Sequence, residues 1–227
     1  MKIKIRAFKA SDNLGLCEKF LYGHKQVLIN YGITNITTNN DDWMKWDSVY
    51  CVIAEKENGT IVSGIRIHLA DGKNLLPVEK AIGKIDPKIH DIVKHYFDKG
   101  IGELCALWNA KEVAGMGLSI LLVRAGISAA NQLKCQILLG IGADYTLKMF
   151  NKVGFVVNNS LGNNGEFIYP NENYVARVLG ILNAKDLATA EKFDRDRMFD
   201  LRKNPVQNCN EMGSKHQIEI QYNLLIF

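Results

Sequence analysis

Polar and apolar residues alternate across residues 2–8, the period of a strand, and this predicts an edge-like strand there. Apolar side chains then recur at helical spacing, at Leu14, Cys17, Phe20, Leu21, Val27 and Leu28. Ser11 or Asp12 is placed to cap this helix, and Gly32 to stop it just past Tyr31. The polar stretch 34–42 predicts a loop leading to Trp43, Trp46, Asp47 and Tyr50. Two apolar runs, 50–56 and 60–70, flank Glu57-Asn58-Gly59, and Asn-Gly between such runs is a hairpin signal. After a turn at Asp71-Gly72-Lys73-Asn74, Asp86 as cap and Pro87 at the first helical position start a helix running to about Phe97. A strand over 102–109 follows. It leads to a glycine-bearing turn over 112–117, an apolar helix from Leu118 to about Gln132, a strand over 135–141 and a short helix ending at Lys152-Val153-Gly154-Phe155. Beyond an Asn- and Gly-rich loop (158–165), a strand over 173–182, a charged helix over 184–202 and a last strand over 217–227 complete the pattern. Strands and helices interleaved in this way predict an α/β domain over residues 1–183, with 184–227 as an extension packed on the domain or on a partner.

Composition narrows the class. Of 227 residues 47% are hydrophobic, enough for a sizeable core, and Gly and Pro are not in excess. The net charge of +4 favours anionic ligands such as nucleotide phosphates or an acidic carrier protein, and is too small to argue for nucleic acid. The cysteines (Cys17, Cys51, Cys105, Cys135 and Cys209) are scattered and odd in number, with no CxxC pair. They predict reduced thiols in a cytoplasmic protein, and no metal site. No apolar run approaches the roughly 20 residues of a membrane span, and the start MKIKIRAF carries no secretory h-region.

The chemistry concentrates between Glu103 and Phe155. A strand feeding a glycine turn that opens a helix presents backbone N–H groups to phosphate, because glycine lets the backbone approach and the helix N-terminus is partly positive. The N–H groups of Val113, Ala114, Gly115, Met116, Gly117 and Leu118 are the candidates. This strand, turn, apolar helix and terminal KVGF resemble the central motif of the GNAT superfamily of acyltransferases. The resemblance implies a mixed, mostly antiparallel sheet flanked by helices, and an acyl thioester donor, acyl-CoA or the phosphopantetheine of an acyl-carrier protein. It places backbone N–H groups of Leu107, Trp108 and Asn109 beside the thioester carbonyl and Glu103 as general base, while the Trp108 side chain fits the acyl slot or the core equally well.

A finer likeness covers roughly residues 15–180. His24–Ile33 (HKQVLINYGI), Trp46–Glu55 (WDSVYCVIAE), Ser63–Ile82 and Gly102–Leu107 (GELCAL) resemble the acyl-homoserine-lactone synthases and the related N-acyl amino acid synthases. That branch implies roles for Arg66 on its strand, for Trp46 and Asp47 at the substrate, and for Glu103. Three positions depart from the family patterns: Glu112 replaces the Gln or Arg that opens the turn, Ala106 replaces an Arg, and Phe150 replaces the Tyr that protonates the departing thiolate. Tyr145 is the nearby candidate for that proton, and Phe150 is expected against the donor. The expected activity is transfer of an acyl group to the amine of a small metabolite such as an amino acid. A conventional acetyltransferase and a non-catalytic thioester-binding module are the alternatives. Arg124, Lys134, Lys148 and Lys152 are candidates to receive an acidic carrier protein. Phe193, Arg197 and Met198 give the last helix a face for the domain or for a second copy of the chain.

Overall fold

The computed structural model describes residues 1–33, 40–214 and 217–226. Most of the loop expected over 34–42, and the last residue of the final strand, lie outside the described residues. Strand β1 (Lys2–Lys9) leads to helix α1 (Leu14–Asn30), then to the hairpin of β2 (Val49–Lys56) and β3 (Ile61–Leu69). Helices α2 (Pro77–Ile82) and α3 (Lys88–Tyr96) precede β4 (Ile101–Asn109), α4 (Leu118–Ala130), β5 (Ile137–Ala143) and α5 (Leu147–Lys152). The chain continues through β6 (Val156–Val157), β7 (Glu166–Ile168) and β8 (Val175–Ile181), then α6 (Lys192–Lys203), β9 (Val206–Met212) and β10 (Gln217–Asn223). No helix among the described residues is long and apolar enough to cross a membrane.

The strands form one sheet in the order β6-β8-β5-β4-β3-β2-β1-β10-β9, with β7 also on β8. Only β4–β5 and β1–β10 are parallel; the other pairs are antiparallel. Strand alternation sends Ile65, Ile67 and Leu104 to one face, where they pack with the apolar helix α4. The opposite face carries Cys51 and Ile53 under α1, and Ile101 and Leu139 under α2 and α3. Burial of side chains such as Leu121, Leu122, Ile65 and Ile67 stabilises each by roughly 1.5–3 kcal/mol and makes this two-sided packing the main source of cohesion.

Several local expectations change. Strand β1 is not an edge, because β10 pairs with it on the side away from β2. Helix α1 is capped by Asn13, whose side chain accepts from the Leu16 N–H, and not by Ser11 or Asp12. Helix α2 went unseen in the apolar pattern; the Glu79 carboxylate accepts the Leu76 N–H and so completes its first turn. The final helix is shorter than 184–202 and is followed by β9, whose polar sequence VQNCNEM hides a strand with a mostly solvated face.

Candidate active site

Strands β4 and β5 pair only from Ile101–Ile137 to Glu103–Leu139 and then diverge. The divergence follows from a bulge. Along β3, Gly64 faces Trp108 and Arg66 faces Cys105, so Ile65 alone faces two residues, Ala106 and Leu107. Ala106 takes φ +50°, an uncommon conformation for a residue with a Cβ, and β4 bends away from β5 at that point. The opening holds a cavity of about 240 Å³. Glu103, Leu107, Tyr145, Thr146, Phe150 and His24 are among its lining residues, and Tyr169, Pro170 and Tyr174 close one side. Tyr145 stands exposed at its mouth.

Glu103 lies at the apex of the opening, 2% exposed. Its carboxylate accepts the Val78 N–H at 2.6 Å, from the first turn of α2. Burial pushes its carboxyl up to about 8, against the pull of that N–H and of the nearby Arg66 charge, with Glu79 adding to the rise. His68 faces Glu103 across β3–β4, and Arg66 faces Cys105, so all four belong to the side of the sheet covered by α1 and α2. Arg66 does face away from Ile65 and Ile67, but that side is covered too. Its guanidinium is 1% exposed and lies 4.1 Å from the centre of the Trp43 ring. Burial, with Arg66 nearby, pushes His24 down to about 3 and His68 well below its ordinary range, so both imidazoles are neutral at physiological pH. Burial lifts the Cys105 thiol to about 12, which keeps it protonated.

The glycine turn lies on the other side of β4. Gly115 and Gly117 have φ +74° and +90°, conformations that side chains with a Cβ rarely adopt. Val113, Ala114 and Met116 spend their N–H groups on carbonyls within the turn. This narrows the expected set of free donors to Gly115, Gly117 and the first turn of α4, beginning with Leu118; among the described residues the first two find no backbone acceptor. Asn109 accepts from Ser63 and donates to Ser119, tying the end of β4 to that first turn. Glu112, whose negative charge would oppose a phosphate, forms an ion pair with Lys56 at 2.6 Å.

The remaining expected residues separate. Glu103, Leu107, Tyr145 and Phe150 share the cavity. Trp108 does not line it. Its indole fills the space between α1 and β3, where a Cβ on Gly23 would meet it at 2.2 Å, and it packs edge-on against Phe20. Trp46 packs edge-on against His68, with Lys80 Nζ 4.8 Å from its ring centre, and so borders the Arg66–Glu103 face. Asp47 is exposed, bonded to Lys9 and Ser11 at the end of β1, away from the cavity. Of the four basic residues proposed for a carrier protein, Arg124 is 5% exposed and bonded to Asp194, which removes it from the surface. His24 was missed as a cavity residue, although it stands in the buried stripe Cys17, Phe20, Leu21, His24, Leu28 of α1.

A mostly antiparallel sheet flanked by helices, opened between two parallel central strands, is the fold of the GNAT acyl-CoA N-acyltransferases. No family model matches the chain, and no curated protein sequence matches it. Among solved structures, an N-acyl amino acid synthase from uncultured soil microbes, FeeM, is similar with TM-score 0.60 at 13% identity, over 78% of this chain and 95% of that one. A CoA-dependent acyl-homoserine lactone synthase, BjaI, solved with SAM and isopentyl-CoA, is similar with TM-score 0.56 at 12% identity, over 98% of this chain and 96% of that one. An acyl-CoA N-acyltransferase from Pseudomonas aeruginosa gives TM-score 0.56 at 13% identity, over 78% and 98%. At such identities the likeness is one of fold.

Proposed function

We propose that this protein is an N-acyltransferase that moves an acyl group from a thioester, on coenzyme A or an acyl-carrier protein, to the amine of a small metabolite such as an amino acid. The observation that carries the proposal is the splay of β4 and β5 with a buried carboxyl at its apex, together with a glycine turn at the far end of β4 whose Gly115 and Gly117 N–H groups find no backbone acceptor among the described residues. The thioester lies in the splay, with its phosphates toward Gly115, Gly117 and Leu118 and its pantetheine against Phe150. N–H groups at the β4 bulge, over Leu107–Asn109, polarise the carbonyl, and the acceptor amine approaches from the Arg66–His68 side. A C–N bond forms as the C–S bond breaks. The amine proton passes to Glu103, directly or through water, and the thiolate leaves and is protonated, with Tyr145 at the mouth as the candidate donor. Glu103 takes the proton only in its ionised form, so with a carboxyl titrating near 8 turnover should rise as pH rises toward and past 8.

The cavity of about 240 Å³ exceeds the roughly 150 Å³ that holds benzene, which leaves room for a donor group larger than acetyl. The similarity to FeeM, an N-acyl amino acid synthase, supports the same class of acceptor. The first test is the melting temperature with acetyl-CoA, octanoyl-CoA and octanoyl-acyl-carrier protein, each in excess. A donor at 100 times its dissociation constant adds about 2.7 kcal/mol of stability. Stabilisation by an octanoyl donor, followed by amine-dependent thiol release, is the expected result. Stabilisation by acetyl-CoA alone would mean a conventional acetyltransferase, and none with any donor would defeat the donor-site reading.

A further inference from the structure

The turn between β9 and β10 is anchored far from where it acts. Met212 pairs with Gln217 at the end of the hairpin, while β10 pairs along β1 from Lys2–Glu219 to Arg6–Asn223. Its described residues, Gly213 and Ser214, reach the glycine turn ahead of α4. The Ser214 N–H donates to the Met116 carbonyl at 3.2 Å, and the Ser214 hydroxyl donates to the Gly115 carbonyl. Gly213 and Ser214 lie so close that a Cβ on Gly117 would sit 3.0 Å from the Ser214 nitrogen and 3.1 Å from the Gly213 Cα. Lower down, buried Glu211 on β9 accepts from Arg197 of α6 at 2.7 Å and from Arg124 of α4 at 3.5 Å. Tyr222 on β10 also donates to Glu211, at 3.1 Å. The hairpin therefore grips α4 at two heights, at its N-terminal turn and at Arg124.

We infer that the β9–β10 hairpin is a built part of the thioester donor's phosphate site, with Ser214 as a positioning residue that holds the Gly115–Gly117 turn by its carbonyls. The inference rests on the donor-site reading above. A peptide unit has an N–H on one edge and a C=O on the other. Fixing the Met116 carbonyl against the hairpin therefore fixes which way the Gly117 N–H faces, and fixing the Gly115 carbonyl steadies the preceding peptide, whose Met116 N–H is already bonded to the Val113 carbonyl. Glycines at positive φ make the turn easy to reorient. A turn held in place from behind loses less freedom when phosphate binds, and affinity rises by that difference. The contact is specific to the phosphate-bearing end of a donor. The pantetheine and acyl portions lie beyond it, along Phe150 and the cavity.

The test compares octanoyl-CoA with octanoyl-pantetheine, which has the same thioester but no pyrophosphate. Dissociation constants are measured by calorimetry for the wild type, Ser214→Ala and Ser214→Pro in the full chain. Ser214→Ala removes the hydroxyl bond and is expected to weaken octanoyl-CoA about fivefold, the usual worth of one such bond. Ser214→Pro removes the N–H bond as well and is expected to weaken it further. Octanoyl-pantetheine should bind all three proteins alike. Equal weakening of both donors would overturn the inference, because it would mark a general loosening of the fold. Unchanged octanoyl-CoA binding in Ser214→Ala would also overturn it, and that variant keeps the test sharp should the proline variant fail to fold. A wild type that binds octanoyl-CoA no better than octanoyl-pantetheine would remove the phosphate site itself, a failure distinct from the variant outcomes.

Discussion

Two groups of buried carboxylates lie on opposite sides of the sheet, and they are built differently. On the α4 side, Glu211 receives Arg197, Arg124 and Tyr222, and Asp194 receives Arg124 at 2.6 Å. These charges are compensated in place, and they join α4, α6, β9 and β10 into one unit. On the α1 side, Glu103 is as deeply buried but, among the described residues, receives one peptide N–H, from Val78, with Arg66 nearby. Burial outweighs both, and the carboxyl keeps its proton up to about pH 8. On the proposed function, the contrast separates a strut from a proton carrier. A carboxylate surrounded by guanidinium groups has its charge state settled, whereas one facing a cavity with few donors can exchange a proton with what enters.

The comparison breaks most severely at Arg124. Arg124→Met leaves Asp194 without its principal cation and Glu211 short of one, and unpairing a buried ion typically costs about 3–5 kcal/mol. Urea unfolding should show a loss of that order, and a loss below about 1 kcal/mol would mean the network is not a strut. Next comes Glu103→Gln, which keeps the shape and removes the proposed base. Turnover should fall about 10²- to 10³-fold while octanoyl-CoA affinity holds, as for a general base. Turnover unchanged in this variant would take Glu103 out of the mechanism.

The pH dependence of stability is the most diagnostic of the contrast. The folded carboxyl of Glu103 titrates near 8 and its ordinary value is 4.5. Between those values the unfolded chain has lost this proton and the folded chain retains it, so the folded state binds more protons there. Its contribution to stability must therefore fall as pH rises through that window, and level off above about 8. Wild-type unfolding free energy measured against Glu103→Gln across pH 4–9 should show this decline. A difference that stays flat would mean that the carboxyl is not displaced from its ordinary range.

Much of the frame was legible in the linear pattern. The period-2 runs of β1 to β5, the Asn58-Gly59 hairpin and the apolar run of α4 each bury a face that the sequence marks, and local physics is enough to read them. Glu103 and Phe150, which the family resemblance marked as base and donor contact, both line the cavity. Other assignments needed neighbours distant in sequence. Trp108 reads equally well as slot or core, and only Gly23 and Gly64, 85 and 44 residues before it, provide the space that makes it core. Arg66 alternates like a solvated residue, yet α1 and Trp43 close over it. Strand β9 is too polar to announce itself and exists because β10 offers it a partner, and β10 is fixed in turn by β1.

By itself, then, the sequence determined which segments are strands and helices wherever one face is apolar, and which glycines free the backbone before α4, since both depend on residues a few positions apart. Only the tertiary structure decided that the buried face over α1 holds Arg66, His24, His68 and Glu103, that Glu112 is neutralised by Lys56, and that Ser214 meets the turn at Gly115. Burial and charge compensation are set by residues brought together from across the chain, and no local pattern encodes them.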